Sequence, residues 1–157
     1  MRIVAISDSH GANKPVEDVI FEQTEAKNVF FLGDGIRHLE HLPDMFPDKQ
    51  FFFVEGNCDF WSLHKTSDMV VLGGKKIFFT HGHEYNVKYG TKSLESAARS
   101  RFADIVLYGH THIPDITYRD GLYIINPGSI ARGRSGRNSY AIIDITDAGI
   151  VPNIIFL

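Results

Sequence analysis

Imidazole, carboxylate and amide groups recur in five short clusters: Asp8-Ser9-His10, Gly33-Asp34, Gly56-Asn57, His81-Gly82-His83 and Gly109-His110-Thr111-His112. Imidazole nitrogen, carboxylate oxygen and the amide oxygen of asparagine are ligand types for borderline divalent cations. A single cluster of this kind would carry little weight. Each of the five, however, directly follows an apolar run of strand length, and glycines beside them allow close approach of backbone.

The elements that would position these clusters can be read from the patterning. Arg2 to Ser7, Asn28 to Leu32 and Gln50 to Val54 read as strands. A helix with Pro15 in its first turn and a short helix over His38 to Met45 lie between them. Strand alternating with helix predicts parallel pairing, and the carboxyl edge of such a sheet is where ligands bind. Further on, Met69 to Leu72 and Lys76 to Thr80 flank Gly73-Gly74, a hairpin signal. Thr91 to Phe102 is the best helix, with Leu94, Ala97, Ala98 and Phe102 on one face, and Ile105 to Tyr108 is another buried strand. The remainder is rich in strands: Ile116 to Arg119, Leu122 to Asn126, Tyr140 to Ile145 and Val151 to Phe156. The expected fold class is mixed α/β with two sheets, and 157 residues suit one domain over 1–157.

Bulk properties narrow the function classes. A formal net charge of -3 disfavours a nucleic-acid module driven by positive charge. Cys58 is the only cysteine, so no intrachain disulfide can form and a reducing, cytoplasmic setting is expected. The opening run Met1 to Ile6 lacks the pattern of a signal peptide, and no run approaches the ~20 apolar residues of a membrane span. No membrane partner is expected, and self-association stays open.

The ordered series of five clusters resembles the metallophosphoesterase superfamily of calcineurin-like phosphatases and phosphodiesterases, over Asp8 to His112. Gly56-Asn57-Cys58-Asp59 and Asn126-Pro127-Gly128-Ser129 make it most similar to the small bacterial and archaeal phosphodiesterases of that superfamily. The resemblance implies a two-sheet β-sandwich flanked by helices, with two divalent cations. Asp8, His10, Asp34 and His112 would hold the first cation; Asp34, Asn57, His81 and His110 would hold the second, with Asp34 bridging. Asp34, Asn57 and His81 then form the catalytic core with a bridging hydroxide that attacks phosphorus in line. Two carboxylates and one hydroxide leave two divalent cations under-neutralised, which attracts a phosphate ester. The histidine-rich set favours manganese, with nickel, iron or zinc as alternatives, over magnesium or calcium.

Two positions depart from the pattern. Many relatives carry a histidine after the asparagine, thought to assist the leaving oxygen; here it is Cys58, a poor substitute as acid. Activated aryl diesters should therefore be favoured over alkyl esters. Arg37 stands where many relatives have an aspartate three residues past the bridging one. Around the core, His83, Ser129 and Arg132 are candidate substrate contacts, whereas His38, His41 and His64 read as solvated side chains. The glycine- and arginine-rich stretch from Arg132 to Arg137 reads as an exposed loop, and Phe60-Trp61 either packs inward or presents an apolar surface. Alternatives to a phosphodiesterase are a phosphomonoesterase acting on a small metabolite, a scaffold on the same fold such as the retromer subunit that resembles this superfamily, and a plain metal-binding protein.

Overall fold

Strand β1 (Arg2–Ile6) divides its side chains between two cores, and this alternation organises the molecule. Val4 and Ile6 join a cluster with Val16, Val19 and Ile20 of helix α1 (Asn13–Glu22), while Ile3 and Ala5 join a second cluster facing the other sheet. Successive side chains of a strand point to opposite faces, so a strand buried on both sides reads as a continuous apolar run. The computed structural model describes residues 1–157.

The first sheet has the order β10-β9-β1-β2-β3. Strands β2 (Ala26–Phe31) and β3 (Gln50–Phe53) extend β1 in parallel. Strand β9 (Ser139–Thr146) pairs antiparallel with β1, and β10 (Gly149–Phe156) pairs antiparallel with β9. The second sheet has the order β4-β5-β6-β8-β7. Its parallel centre is β5 (Lys75–Thr80), β6 (Ile105–Leu107) and β8 (Leu122–Pro127). Its antiparallel edges are β4 (Ser67–Leu72) and β7 (Pro114–Arg119).

The sheets meet across Ile3, Ala5, Phe30, Leu32, Ile77, Phe79, Ile105, Leu107 and Ile125. The opposite face of the second sheet packs Phe78, Val106 and Ile124 against Leu94 and Ala98 of helix α3 (Lys92–Ser100). The expected two-sheet sandwich flanked by helices is therefore the observed fold.

Two local expectations need correction. The helix expected over His38 to Met45 is broken into a 3-10 turn at Ile36–His38 and one turn of helix α2 at Leu42–Met45. Pro43 explains the second start, since it suits only a helix's first turn. Phe102 is expected on the buried face of α3, yet the helix ends before it, its φ is 55°, and it is exposed.

Phe30 is fully buried between the sheets, stacked on Phe52 at 4.6 Å and edge-on to Phe79 at 5.0 Å. Phe30→Ala removes both contacts and leaves a cavity, so unfolding stability should fall by about 3–5 kcal/mol. Urea denaturation of both proteins measures this through the shift in midpoint.

Candidate metal centre

The loops that leave the carboxyl ends of β1, β2, β3, β5 and β6 converge on one rim. Backbone hydrogen bonds tie them together: Asp8 N donates to Gly33 O at 3.0 Å, His10 N to Asp34 O at 2.9 Å, and Gly109 N to His81 O at 3.1 Å. The approach is close enough to exclude side chains. A Cβ on Gly56 would collide with the Asp34 carboxylate, and one on Gly33, whose φ is 94°, would meet His81 Nδ1 at 2.9 Å. Asp8, His10, Asp34, His110 and His112 all have positive φ, between 45° and 69°. Such conformations are uncommon outside glycine and persist where surrounding structure imposes them.

The side chains that meet there are Asp8, His10, Asp34, His81, His110 and His112. Nε2 of His81 lies 3.5 Å from Asp34 Oδ2 and 3.9 Å from Asp8 Oδ1. Nε2 of His10 lies 3.9 Å from Asp34 Oδ2 and 3.2 Å from Nε2 of His112. Nε2 of His112 is 3.2 Å from Asp8 Oδ1, and Nδ1 of His110 is 3.2 Å from Nε2 of His81. Asp8, His10 and His112 form one trio with ligand atoms mutually within 4.8 Å, and Asp8, Asp34 and His81 form another.

The protonation pattern favours a cation between them. A carbonyl oxygen only accepts, so His81 Nδ1, 2.6 Å from Leu32 O, carries the ring proton, as does His112 Nδ1, 2.9 Å from Arg132 O. In the neutral rings the Nε2 lone pairs are thereby aimed inward. Asp8 Oδ1 is buried and accepts no hydrogen bond. Lone pair facing lone pair beside an unpartnered carboxylate oxygen is costly unless positive charge sits among them. These residues fit a metal site on that ground.

The titration behaviour has the same cause. Burial opposes charge on His81, but its hydrogen bond to Asp34 and the charges of Asp8 and Asp34 outweigh it and raise its pKa. His112 is raised by its contact with Asp8, whereas burial and the neighbouring His81 and Lys88 push His110 down to about 4. Burial also works against an ionised Asp34, yet His81 and the Cys58 amide, which donates to its Oδ1 at 2.8 Å, hold it well below the usual carboxylate range.

Asn57 is exposed and lines a cavity of about 320 Å³ together with Asp34, Cys58, His110, His112, Lys88, Arg132 and Arg134. Arg132 and Arg134, expected in a solvated loop, thus border the site, whereas Arg137 stacks on Phe156 at 5.0 Å. His83 is half-buried, its ring 5.5 Å from that of His81, with Nδ1 unpartnered. Ser129, expected to touch substrate, is fully buried. Its hydroxyl donates to Asp8 O at 2.8 Å and accepts from Arg132 N at 2.7 Å, so it braces the floor of the site. Asn126 does similar work, its amide donating to Gly109 O at 2.9 Å and Thr111 Oγ1 at 3.0 Å. His38, expected as a solvated side chain, is exposed and borders the neighbouring cleft.

Two further residues serve the site without a local signal of their own. Lys88, in a short turn after β5, borders the cavity, and nothing in its flanking sequence sets it apart. Asp59 accepts four backbone N–H groups, from Asp34 and Gly35 at 2.7 Å each, Gly56 at 2.8 Å and Ile36 at 3.0 Å. It clamps the Asp34 loop to the Asn57 loop. Its place in Gly56-Asn57-Cys58-Asp59 is visible in the chain order, but its distant donors are not.

Comparison with known proteins places this arrangement. Residues 1–148 match the calcineurin-like phosphoesterase superfamily domain. The chain is 33% identical over 154 residues to the probable metallophosphoesterase YsnB of Bacillus subtilis, covering 96% of this chain and 89% of that protein. It is 29% identical over 168 residues to the phosphodiesterase YfcE of Escherichia coli K12, covering 92% and 88%. A crystal structure of a conserved Streptococcus pneumoniae protein, described as a predicted phosphoesterase, superposes with a TM-score of 0.83 at 31% identity, covering 99% of this chain and 88% of that one.

Asp59→Ala strands four backbone donors while leaving every metal-ligand candidate side chain in the chain. Zinc or manganese affinity should fall about 10–100-fold while circular dichroism stays native; unchanged affinity in a calorimetric titration would contradict the clamp. Because the pKa values of His81 and His112 are raised, each ring keeps its second proton to higher pH than a free imidazole does and must be without it to bind a cation. Binding heats at pH 7 should therefore vary with the ionisation enthalpy of the buffer, and more weakly as pH rises.

Proposed function

Because this chain belongs to the calcineurin-like phosphoesterase superfamily, we propose that it is a phosphodiesterase dependent on two divalent cations. The observation that carries this reading is the convergence of inward-facing imidazole lone pairs on the unpartnered Asp8 Oδ1. In this reading Asp8, His10, Asp34 and His112 hold one cation, and Asp34, Asn57, His81 and His110 hold the other. Manganese is the first candidate, with nickel, iron or zinc as alternatives. When bound, the cations supply the charge that lowers the pKa of a water and offsets negative charge building on phosphoryl oxygens.

The chain's own groups account for the rest. The Leu32 and Arg132 carbonyls fix the tautomers of His81 and His112, so both rings meet a cation with the correct nitrogen. Asp34 stays ionised and is held in place by the Cys58 amide. Lys88, Arg132 and Arg134 surround the cavity with positive charge complementary to a phosphate anion. His83 and Arg132 are the candidate substrate contacts.

Cys58 borders the same cavity, its thiol pushed up to about 11 by burial and by the Asp34 carboxylate. It stays protonated at neutral pH, but a thiol is a weak hydrogen-bond donor and so helps an alkoxide depart poorly. Aryl esters, whose leaving groups need no proton, are the favoured substrates. The phosphodiesterase description of the Escherichia coli relative supports a diester over a monoester.

Steady-state assays of the manganese-loaded protein should show an aryl phosphodiester cleaved faster than the matching monoester. Asp34→Asn should lower kcat at least about a hundredfold with the fold intact. A fully loaded protein that cleaves neither ester, or an Asp34→Asn variant that keeps its rate, would defeat the assignment. Cys58→His should raise kcat on an alkyl diester by roughly a hundredfold and change aryl diester turnover much less.

A further inference from the structure

Beside the metal centre runs a cleft of about 470 Å³ whose lining includes both the ligand candidates His10 and Asp34 and the aromatic pair Phe60 and Trp61. Arg37, His38 and Arg132 line it as well. A smaller cavity of about 250 Å³ continues past Phe60 and Trp61 to Glu40 and Ser62.

Trp61 is costly where it stands. It is 98% exposed, and its φ is 69°. A bulky residue in the left-handed region is a conformational outlier, and an indole in water forgoes the burial that would offset it. Phe60 beside it is 77% exposed. The loop that bears them is itself firmly placed: Asp59 accepts its four backbone donors immediately before, and Ser62 N donates to Asp59 O at 3.2 Å. Neither aromatic ring joins any of the three cores. Stability does not explain them, whereas their place in the lining of the cleft does.

Resting on the phosphodiesterase reading, we infer that Phe60 and Trp61 form a stacking shelf for a planar aromatic group esterified to the substrate phosphate. A phosphate seated at Asp34 and His10 would send its organic substituent along the cleft towards the two rings. Arg37 and Arg132 line the same cleft and offer cations to the phosphate or a guanidinium face to the ring. Stacking tolerates many aromatic partners, so the shelf selects for aryl or nucleoside esters over alkyl esters without requiring one particular ring. The Cys58 thiol favours the same substrates for a different reason, the ease with which an aryl oxide departs. Binding preference and chemical reactivity thus point one way.

Trp61 is the chain's single tryptophan, so its emission reports this site alone. The probe is diphenylphosphinate, an anion shaped like a diester but without an ester bond to cleave, with dimethylphosphinate as its alkyl counterpart. Titrating zinc-loaded protein should give a saturable change in indole emission with diphenylphosphinate and none with dimethylphosphinate. Equal responses to the two anions, or no response to either, overturn the shelf. So does sedimentation showing that Trp61 is covered by a second copy of the chain. In kinetics, Trp61→Leu should reduce the kcat/KM preference for aryl over alkyl diesters about tenfold, mostly through KM. Trp61→Phe should restore most of that preference. If no ester is hydrolysed yet diphenylphosphinate still shifts the emission, the hydrolytic reading falls and the shelf stands. If aryl diesters are hydrolysed while the indole stays silent, the shelf falls and the hydrolytic reading stands.

Discussion

Positive charge at the rim of the sandwich is the requirement around which the remaining structure is arranged. Asp8 Oδ1 has no donor, and two imidazoles whose outer nitrogens are committed to carbonyls point their lone pairs toward it. Protons can satisfy that arrangement only in part, because charging neighbouring rings sets them against one another; His110, already disfavoured by burial, resists protonation further for this reason. A cation resolves all the contacts together. The fold's contribution is to hold these acceptors close when their mutual repulsion would part them.

That contribution is mechanical. Buried strands β1, β2, β5 and β6 set the loop origins, and the loops are then bound to one another by backbone hydrogen bonds. Ser129 and Asn126 brace the floor from β8 and the turn that follows it. Asp59 joins the loops after β2 and β3. A carboxylate that accepts four backbone N–H groups is rigid as well as stabilising, since each bond restrains a different residue. Metal-ligand candidates on separate loops are thereby held in one geometry, as a precise site demands.

Much of this is legible in the sequence because it depends on local signals. Apolar runs ending in polar turns locate nearly every strand, and their order gives the parallel centre of the first sheet. The ligand candidates are recognisable because the clusters keep their order along the chain, from Asp8 to His112. What escapes is whatever depends on partners far away in the chain. Asp59 has four donors, three of them more than twenty residues distant. Ser129 resembles a substrate contact until the folded chain shows its hydroxyl turned toward Asp8 O. Lys88 gains its meaning from the cavity wall, and Phe102 loses its place on the buried face because α3 stops two residues before it.

The left-handed backbone at Asp8, His10, Asp34, His110 and His112 constrains how such a protein can drift. Aspartate, asparagine, histidine and glycine accept that conformation, while β-branched residues resist it by about 1–2 kcal/mol each. Exchange among the first group alters chemistry with little penalty to folding, so a descendant freed from catalysis would accumulate asparagine or glycine at these sites before valine or threonine. The scaffold can outlive its activity, and its retired ligand positions would still be recognisable by the small set of residues they admit.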